Sequence, residues 1–158
     1  MKAAEHPGVR KVTEALAAAG ASGEVVELAA EARTAALAAA QLGVEVGAIA
    51  NSLVFDAEGT PLLVLTSGAH RVDTARVAAL LGIGTLSRAT PEFVRAATGQ
   101  PIGGVAPLGH PAPLRTLVDV ALAGHDMVWA AAGIPHTVFP TTYEELVRIT
   151  GGTPAEVG

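Results

Sequence analysis

Residues 49–66 read IANSLVFDAEGTPLLVLT, and this stretch decides the fold class. Ile49–Phe55 is strand-like through Leu53, Val54 and Phe55, and Asp56-Ala57-Glu58-Gly59 is a hairpin turn signal. Pro61–Thr66 then pairs back antiparallel. Upstream, His6-Pro7 opens a helix carrying Val9, Val12, Leu16 and Ala19 at helical spacing, and Gly20 ends it. Glu24–Leu28 is a short strand, Thr34–Leu42 an alanine-rich helix closed by Gly43, and Val44–Gly47 a turn. Downstream, Ser67-Gly68 breaks the hairpin, and Asp73 caps a helix over Thr74–Leu81 that stops at Gly82. Thr85–Ser87 is a short strand, and Thr90-Pro91-Glu92 starts a helix that runs to Thr98. Leu117–Val120 and Met127–Ala131 read as buried strands and Thr137–Phe139 as a further one. Thr142–Ile149 reads as an amphipathic helix and Gly151–Gly158 as a loose tail. Helices and strands alternate without a βαβ rhythm. The expected architecture is therefore mixed α/β, α+β-like: one domain over 1–158 with helices around a mixed, mainly antiparallel sheet.

Composition narrows the function classes. Half of the 158 residues are hydrophobic, but only 3% are aromatic, so small side chains must make most of the core. The net charge is −5 and the only lysines are Lys2 and Lys11. A broad nucleic-acid-binding face needs clustered cations and is not expected, although a few arginines suffice to grip one short end. The absence of cysteine excludes disulfides, thiolate metal sites and a cysteine nucleophile. Charges, glycine or proline interrupt every apolar run before membrane-spanning length, and MKAAEHPGVRK lacks the apolar centre of a signal peptide. The expectation is a soluble, cytoplasmic protein.

One segment carries most of the chemical interest. TGQPIGGVAPLGH, Thr98–His110, cannot be helix, because Pro101 and Pro107 lack amide donors and Gly103, Gly104 and Gly109 favour other conformations. It is either a stiff length of bare backbone with amides aimed at a ligand or an ordinary surface turn, and these residues alone leave both open. The five histidines show no metal-ligand spacing, so no metal is expected; His110 stands out because it closes the loop. Gly82-Ile83-Gly84 follows a helix instead of a strand, which makes it a helix stop and not a dinucleotide fingerprint. No G-x-S-x-G elbow occurs, and Ser52 and Ser67 have no evident partner base. Asp73 reads as a cap and Asp119 as the close of a strand. Arg71, Arg88 and Arg115 fall in loop-like positions and are the candidates for phosphate contact. No side chain announces itself as a catalyst, and nothing calls for a cofactor.

Several runs taken together resemble the YbaK/ProX family of aminoacyl-tRNA deacylases, relatives of the editing insertion of bacterial prolyl-tRNA synthetases. They are TAALAAAQLGVEVGAIANSLVF (Thr34–Phe55), LLVLTSGAHRVDTARVAALLG (Leu62–Gly82) and ATPEFVRAATGQPIGGVAPLGH (Ala89–His110). VDVALAGHDMVWAAAG (Val118–Gly133) and TTYEELVRITG (Thr141–Gly151) follow in family order. The most specific match is the G-x-x-x-P loop, here Gly103-Gly104-Val105-Ala106-Pro107. The resemblance implies cofactor-free removal of a wrong amino acid from tRNA, typically a small residue on the tRNA for proline. It further implies that loop amides near Gly103, Gly104 and Val105 steady the oxyanion while a terminal ribose hydroxyl assists attack. Ser52, Thr34, Arg71, His110, Ala131, Gly133 and His136 are then expected around the substrate. The implied partners are the acceptor end of an aminoacyl-tRNA and a prolyl-tRNA synthetase.

Two positions depart from the family pattern. The usual lysine of its K-[ST]-L run is replaced in Asn51-Ser52-Leu53, which loses charge and reach but keeps hydrogen-bonding capacity. Asn51 then orients the carbonyl itself, or an arginine such as Arg71 or Arg115 supplies the charge, or the protein binds an aminoacyl end without efficient hydrolysis. A serine found in some relatives is replaced within Ala130-Ala131-Ala132, leaving a small apolar wall. The competing functional expectations are a trans-editing deacylase, a non-catalytic aminoacyl-tRNA or synthetase-binding module, and a hydrolase of small esters.

Overall fold

Leu62, Leu63, Val64 and Leu65 are all buried, which places their strand at the centre of a sheet covered on both faces. The computed structural model describes residues 2–29 and 34–158; Met1 of the N-terminal run lies outside them. Strands β2 (Ile49–Ala57) and β3 (Thr60–Ser67) form the expected hairpin, in register from Ala50 opposite Ser67 to Ala57 opposite Thr60. Its two turn residues, Glu58 and Gly59, both have positive φ, at 53° and 95°, as a type I′ hairpin requires. The Asp56 carboxylate accepts the Gly59 amide at 2.6 Å and steadies that turn.

The other strands are β1 (Val26–Glu27), β4 (Ser87–Arg88), β5 (Arg115–Asp119), β6 (Val128–Ala131), β7 (Thr137–Thr141) and β8 (Thr153–Ala155). The order across the sheet is β1-β7-β6-β2-β3-β5-β8, and β4 pairs with β2 away from this path. The β1–β7, β6–β7, β2–β3 and β2–β4 pairings are antiparallel, whereas β2–β6, β3–β5 and β5–β8 are parallel. The sheet is thus mixed and mostly antiparallel, as expected.

Among the described residues five α-helices surround it: α1 (Pro7–Ala18), α2 (Ala35–Leu42), α3 (Thr74–Leu81), α4 (Pro91–Thr98) and α5 (Tyr143–Thr150). Each begins where a side chain takes up a free amide of the first turn, from His6, Thr34, Asp73, Thr90 and Thr142 in turn. Alternation along the strands divides the core. One cluster joins Leu63, Leu65, Val118, Ala130 and Phe139 to Val12 of α1, Val94 of α4 and Leu146 of α5. On the opposite face Leu62, Val64 and Leu117 meet Val77 of α3. Ala38 and Ala39 of α2 pack on Ile49, small residues that let the helix lie close to the sheet.

The C-terminal segment corrects one expectation. In place of a loose tail, β8 adds in parallel to β5, and Val157 is fully buried in the cluster with Leu62 and Val77. The Asp73 amide donates to the Val157 carbonyl at 2.6 Å. The edge of β5 offers unpaired backbone groups and α3 offers an apolar slot, and this segment satisfies both. The expected strand over Leu117–Val120 is displaced: it starts at Arg115 and ends at Asp119, whose carboxylate accepts the Ala121 amide and turns the chain into a 3-10 helix. Arg88 and Arg115, expected in loops, lie on β4 and β5.

Candidate active site

The site begins at a split in the sheet. Strand β6 pairs with β2 only at Ile49 and Ala50, and β4 pairs with it only at Phe55 and Asp56. Residues 51–54 therefore have a strand neighbour on the β3 side alone. The Gly68 amide donates to the Ile49 carbonyl at 2.8 Å, so alternation directs the backbone polar groups of Asn51 toward β3 and those of Ser52 into the split. A cavity of about 870 Å³ opens there, lined by β2 from Ile49 to Phe55. Ile49, Trp129 and Ala35 contribute from the α2 side, and Val94, Gly103 and Val105 from the α4 side.

The Gly/Pro loop reaches this cavity by a tight turn. Thr98 ends α4, its hydroxyl donating to the Val94 carbonyl at 2.7 Å and accepting the Gln100 amide at 3.0 Å. The Gly104 amide donates to the Pro101 carbonyl at 3.1 Å, with Gly103 at φ +90° in the third position, where a type II turn needs glycine. The Gly104 carbonyl accepts the Gly133 amide at 2.9 Å, and Ala106 donates its amide to the Gln100 side-chain oxygen at 2.7 Å. The Gly104 amide, expected among the oxyanion donors, is thus engaged within the turn. The Gly103 and Val105 amides have no acceptor among the described residues, and both residues line the cavity. Two unpartnered donors two residues apart at the wall of a cleft are suited to an oxygen that develops negative charge.

Side chains add further unpartnered groups. Ser52 Oγ, Trp129 Nε1 and His136 Nδ1 are buried without hydrogen-bond partners among the described residues, and all three residues line the cavity. His136 also has φ +68°, a left-handed conformation that non-glycine residues seldom adopt, while its carbonyl accepts the Leu28 amide. Asn51, Thr34, Arg71 and Ala131 line the same cavity, and the Thr34 hydroxyl also caps α2 by accepting the Leu37 amide at 3.2 Å. Of the arginines, Arg71 and Arg88 are at the cavity and Arg115 is not. Gly104, Pro107 and Gly133 are not among its lining residues. His110 lines a separate cavity of about 460 Å³ with Lys11, Glu14 and Gln100. Its Nε2 donates to the Ala106 carbonyl at 2.8 Å, and burial holds its pKa below the usual histidine value, against the opposing pull of that bond.

The sequence reading missed the pair beside the cavity. The buried Asp119 carboxylate accepts the Ser67 amide at 2.9 Å and approaches His70 Nε2 at 2.5 Å, and His70 lines the cavity. Spacing carried no signal for it, since 49 residues separate the partners. Among the described residues, no three His, Asp or Glu side chains gather where they could hold a metal ion, and no helix is long and apolar enough to cross a membrane.

The chain matches the aminoacyl-tRNA editing domain family over residues 29–149. It belongs to that family. The editing-domain match takes in every residue lining the large cavity except Leu28. A solved structure of a candidate trans-editing enzyme for prolyl-tRNA synthetase is 45% identical, with a TM-score of 0.91 over 96% of this chain and 97% of that one. The uncharacterized protein YwhH of Bacillus subtilis is 30% identical over 78% of each chain. The proline–tRNA ligase of Geobacter sulfurreducens is 30% identical over 72% of this chain, which spans only 21% of the ligase. The editing domain thus resembles a portion of the much longer ligase and nearly the whole of the candidate trans-editing enzyme.

Proposed function

We propose that this editing domain acts in trans as a deacylase, cleaving the ester that joins a misattached small amino acid to the terminal ribose of the tRNA for proline. The observation that carries the reading is the pair of unpartnered Gly103 and Val105 amides at the cavity in the sheet split. The ester carbonyl oxygen lies against these amides. Water adds to the carbonyl carbon, the oxygen becomes an oxyanion held by the two N–H groups, and the ester C–O bond then breaks. The amino acid leaves as a carboxylic acid that ionises, and the ribose oxygen takes up a proton. A neighbouring ribose hydroxyl relays the proton from the attacking water to the leaving ribose oxygen. One oxyanion donor is worth roughly 10²–10³ in rate.

Asn51 and Ser52 orient the aminoacyl group from β2, and Ala131 keeps the wall small. Arg71 and Arg88 contact the phosphates of the acceptor end. The protein works in the cytoplasm, where charged tRNA is made, and a prolyl-tRNA synthetase is its natural supplier. Such a second site is needed because a pocket rejects smaller or similar-sized amino acids by only a modest factor.

The test is release of amino acid from tRNA for proline charged with alanine, cysteine, serine, threonine or proline. The expected result is release of one non-cognate residue with proline spared. Asn51 in place of the family lysine favours a second reading, a binding module that has lost turnover. Under that reading no charged tRNA is cleaved by the parent and Asn51→Lys creates activity. Failure of uncharged tRNA to compete would instead favour a small-ester hydrolase.

A further inference from the structure

We infer that Gln100 and His110 are positioning residues, which grip both polar groups of Ala106 and so aim the Val105 amide into the cavity. The inference rests on the reading of the loop as the oxyanion-binding element. Ala106 is fully buried. Its amide donates to Gln100 Oε1 at 2.7 Å and its carbonyl accepts from His110 Nε2 at 2.8 Å. A carbonyl only accepts, so the imidazole carries a proton on Nε2. No strand or helix otherwise holds this part of the chain.

The geometry makes the grip consequential. The Val105 N–H shares a peptide plane with the Gly104 carbonyl, and in a trans peptide the two point in opposite directions. Gly133 fixes that carbonyl from one side, so the Val105 amide faces away from Gly133. Rotation about Val105 is limited at its other end by Ala106, which both side chains hold. Three anchors thus bound a buried residue that lines the cavity and whose amide has no acceptor among the described residues. Gln100 is 3% exposed, and its Nε2 has no partner among the described residues. A residue kept only for packing would be apolar here, because a buried orphan donor is unfavourable. The acceptor end of the amide is what the loop uses. Neither residue lines the large cavity, so neither acts by touching substrate there.

Gln100→Met and His110→Phe keep approximate shape and remove the two grips separately. The measurements are amide hydrogen exchange at Ala106 by NMR, and kcat and KM for charged tRNA. Gln100→Met should speed exchange at Ala106 by about tenfold or more, the loss of one buried hydrogen bond. It should lower kcat by about tenfold or more while KM stays within about twofold, because aim and not binding is lost. Gln100→Glu, whose carboxyl oxygen still accepts, should recover most of both. His110→Phe should lower kcat in the same way, and His110→Gln, which restores a donor, should recover it. Parental kcat in both Gln100→Met and His110→Phe, or a fall in kcat matched by a rise in KM, overturns the inference. If the parent cleaves no charged tRNA, the proposed function fails by itself. The grip is then decided by exchange alone, and an Ala106 amide that exchanges as fast as that of Gly103 overturns it.

Discussion

Replacing Gly104 by alanine tests the placement of the loop with a single methyl group. A Cβ there falls 2.4 Å from the carbonyl carbon of Ile134, 2.6 Å from its Cα and 2.7 Å from the Pro135 nitrogen. These are backbone atoms, and their segment is tied at both ends. Gly133 donates to Gly104 at 2.9 Å, and Ala132 donates to Thr137 at 3.0 Å. Carbon atoms rest at ~3.5–4.0 Å, so the loop and the turn before β7 must part by about 1 Å. The Gly133–Gly104 bond is then lost, and with it the aim of the Val105 amide. Misplacement on that scale costs about 10²-fold in rate. Overpacking of this kind costs about 1–3 kcal/mol, which lowers the melting temperature by roughly 2–10 °C in a chain of this size. The assay is single-turnover deacylation at a temperature where thermal unfolding shows the variant folded. Gly103→Ala is the contrast, because a Cβ there meets nothing within 4 Å and the cost is backbone strain alone. A folded Gly104→Ala protein with the parental rate would refute the assignment of this loop to catalysis.

Three further outcomes follow from the same structure. Val157→Ala should lower urea-derived stability by about 2 kcal/mol, since two methyl groups leave a fully buried site; an unchanged midpoint would mean that the C-terminal strand does not pack. His110 is held below the usual histidine pKa by burial, so on acidification the unfolded chain takes up a proton that the folded one declines. Its contribution to stability is complete above the usual value of about 6.5 and is lost as pH falls toward the folded value, so His110→Gln should flatten the decline in urea midpoint between about pH 7 and pH 5; parallel declines would contradict this. With two lysines and a net charge of −5, binding of tRNA should involve few phosphates, giving a log–log salt slope of about −2 to −3 for an acceptor-end contact; a much steeper slope would point to a broad interface.

Much of the local structure was legible. Asp56 and Gly59 dictate the hairpin turn, and Asp73 and Thr90 cap the helices that follow them, because each effect acts within three residues; Thr34 and Thr142, read as helical, are caps as well. The loop could be recognised as non-helical Gly/Pro backbone, but not which of its amides remain unpartnered. That depends on Gly133, 29 positions beyond Gly104 in the chain, and on side chains of Gln100 and His110 folding back upon Ala106. The terminal segment, expected as a loose tail, carries Val157 as a buried residue. Its burial needs β5 and α3 to be already in place.

The sequence by itself determined the elements, their caps, the hairpin and the resemblance to a family, since these rest on contacts between near neighbours or on motifs read in order. Only the tertiary structure decided that β6 and β4 meet β2 at separate positions and leave residues 51–54 open between them. It also decided that Gly103 and Val105 keep their donors while Gly104 and Ala106 do not. The physical reason is the same in both cases. A backbone group is available for chemistry only when no other part of the chain has bound it, and that is a property of every pairing in the fold together.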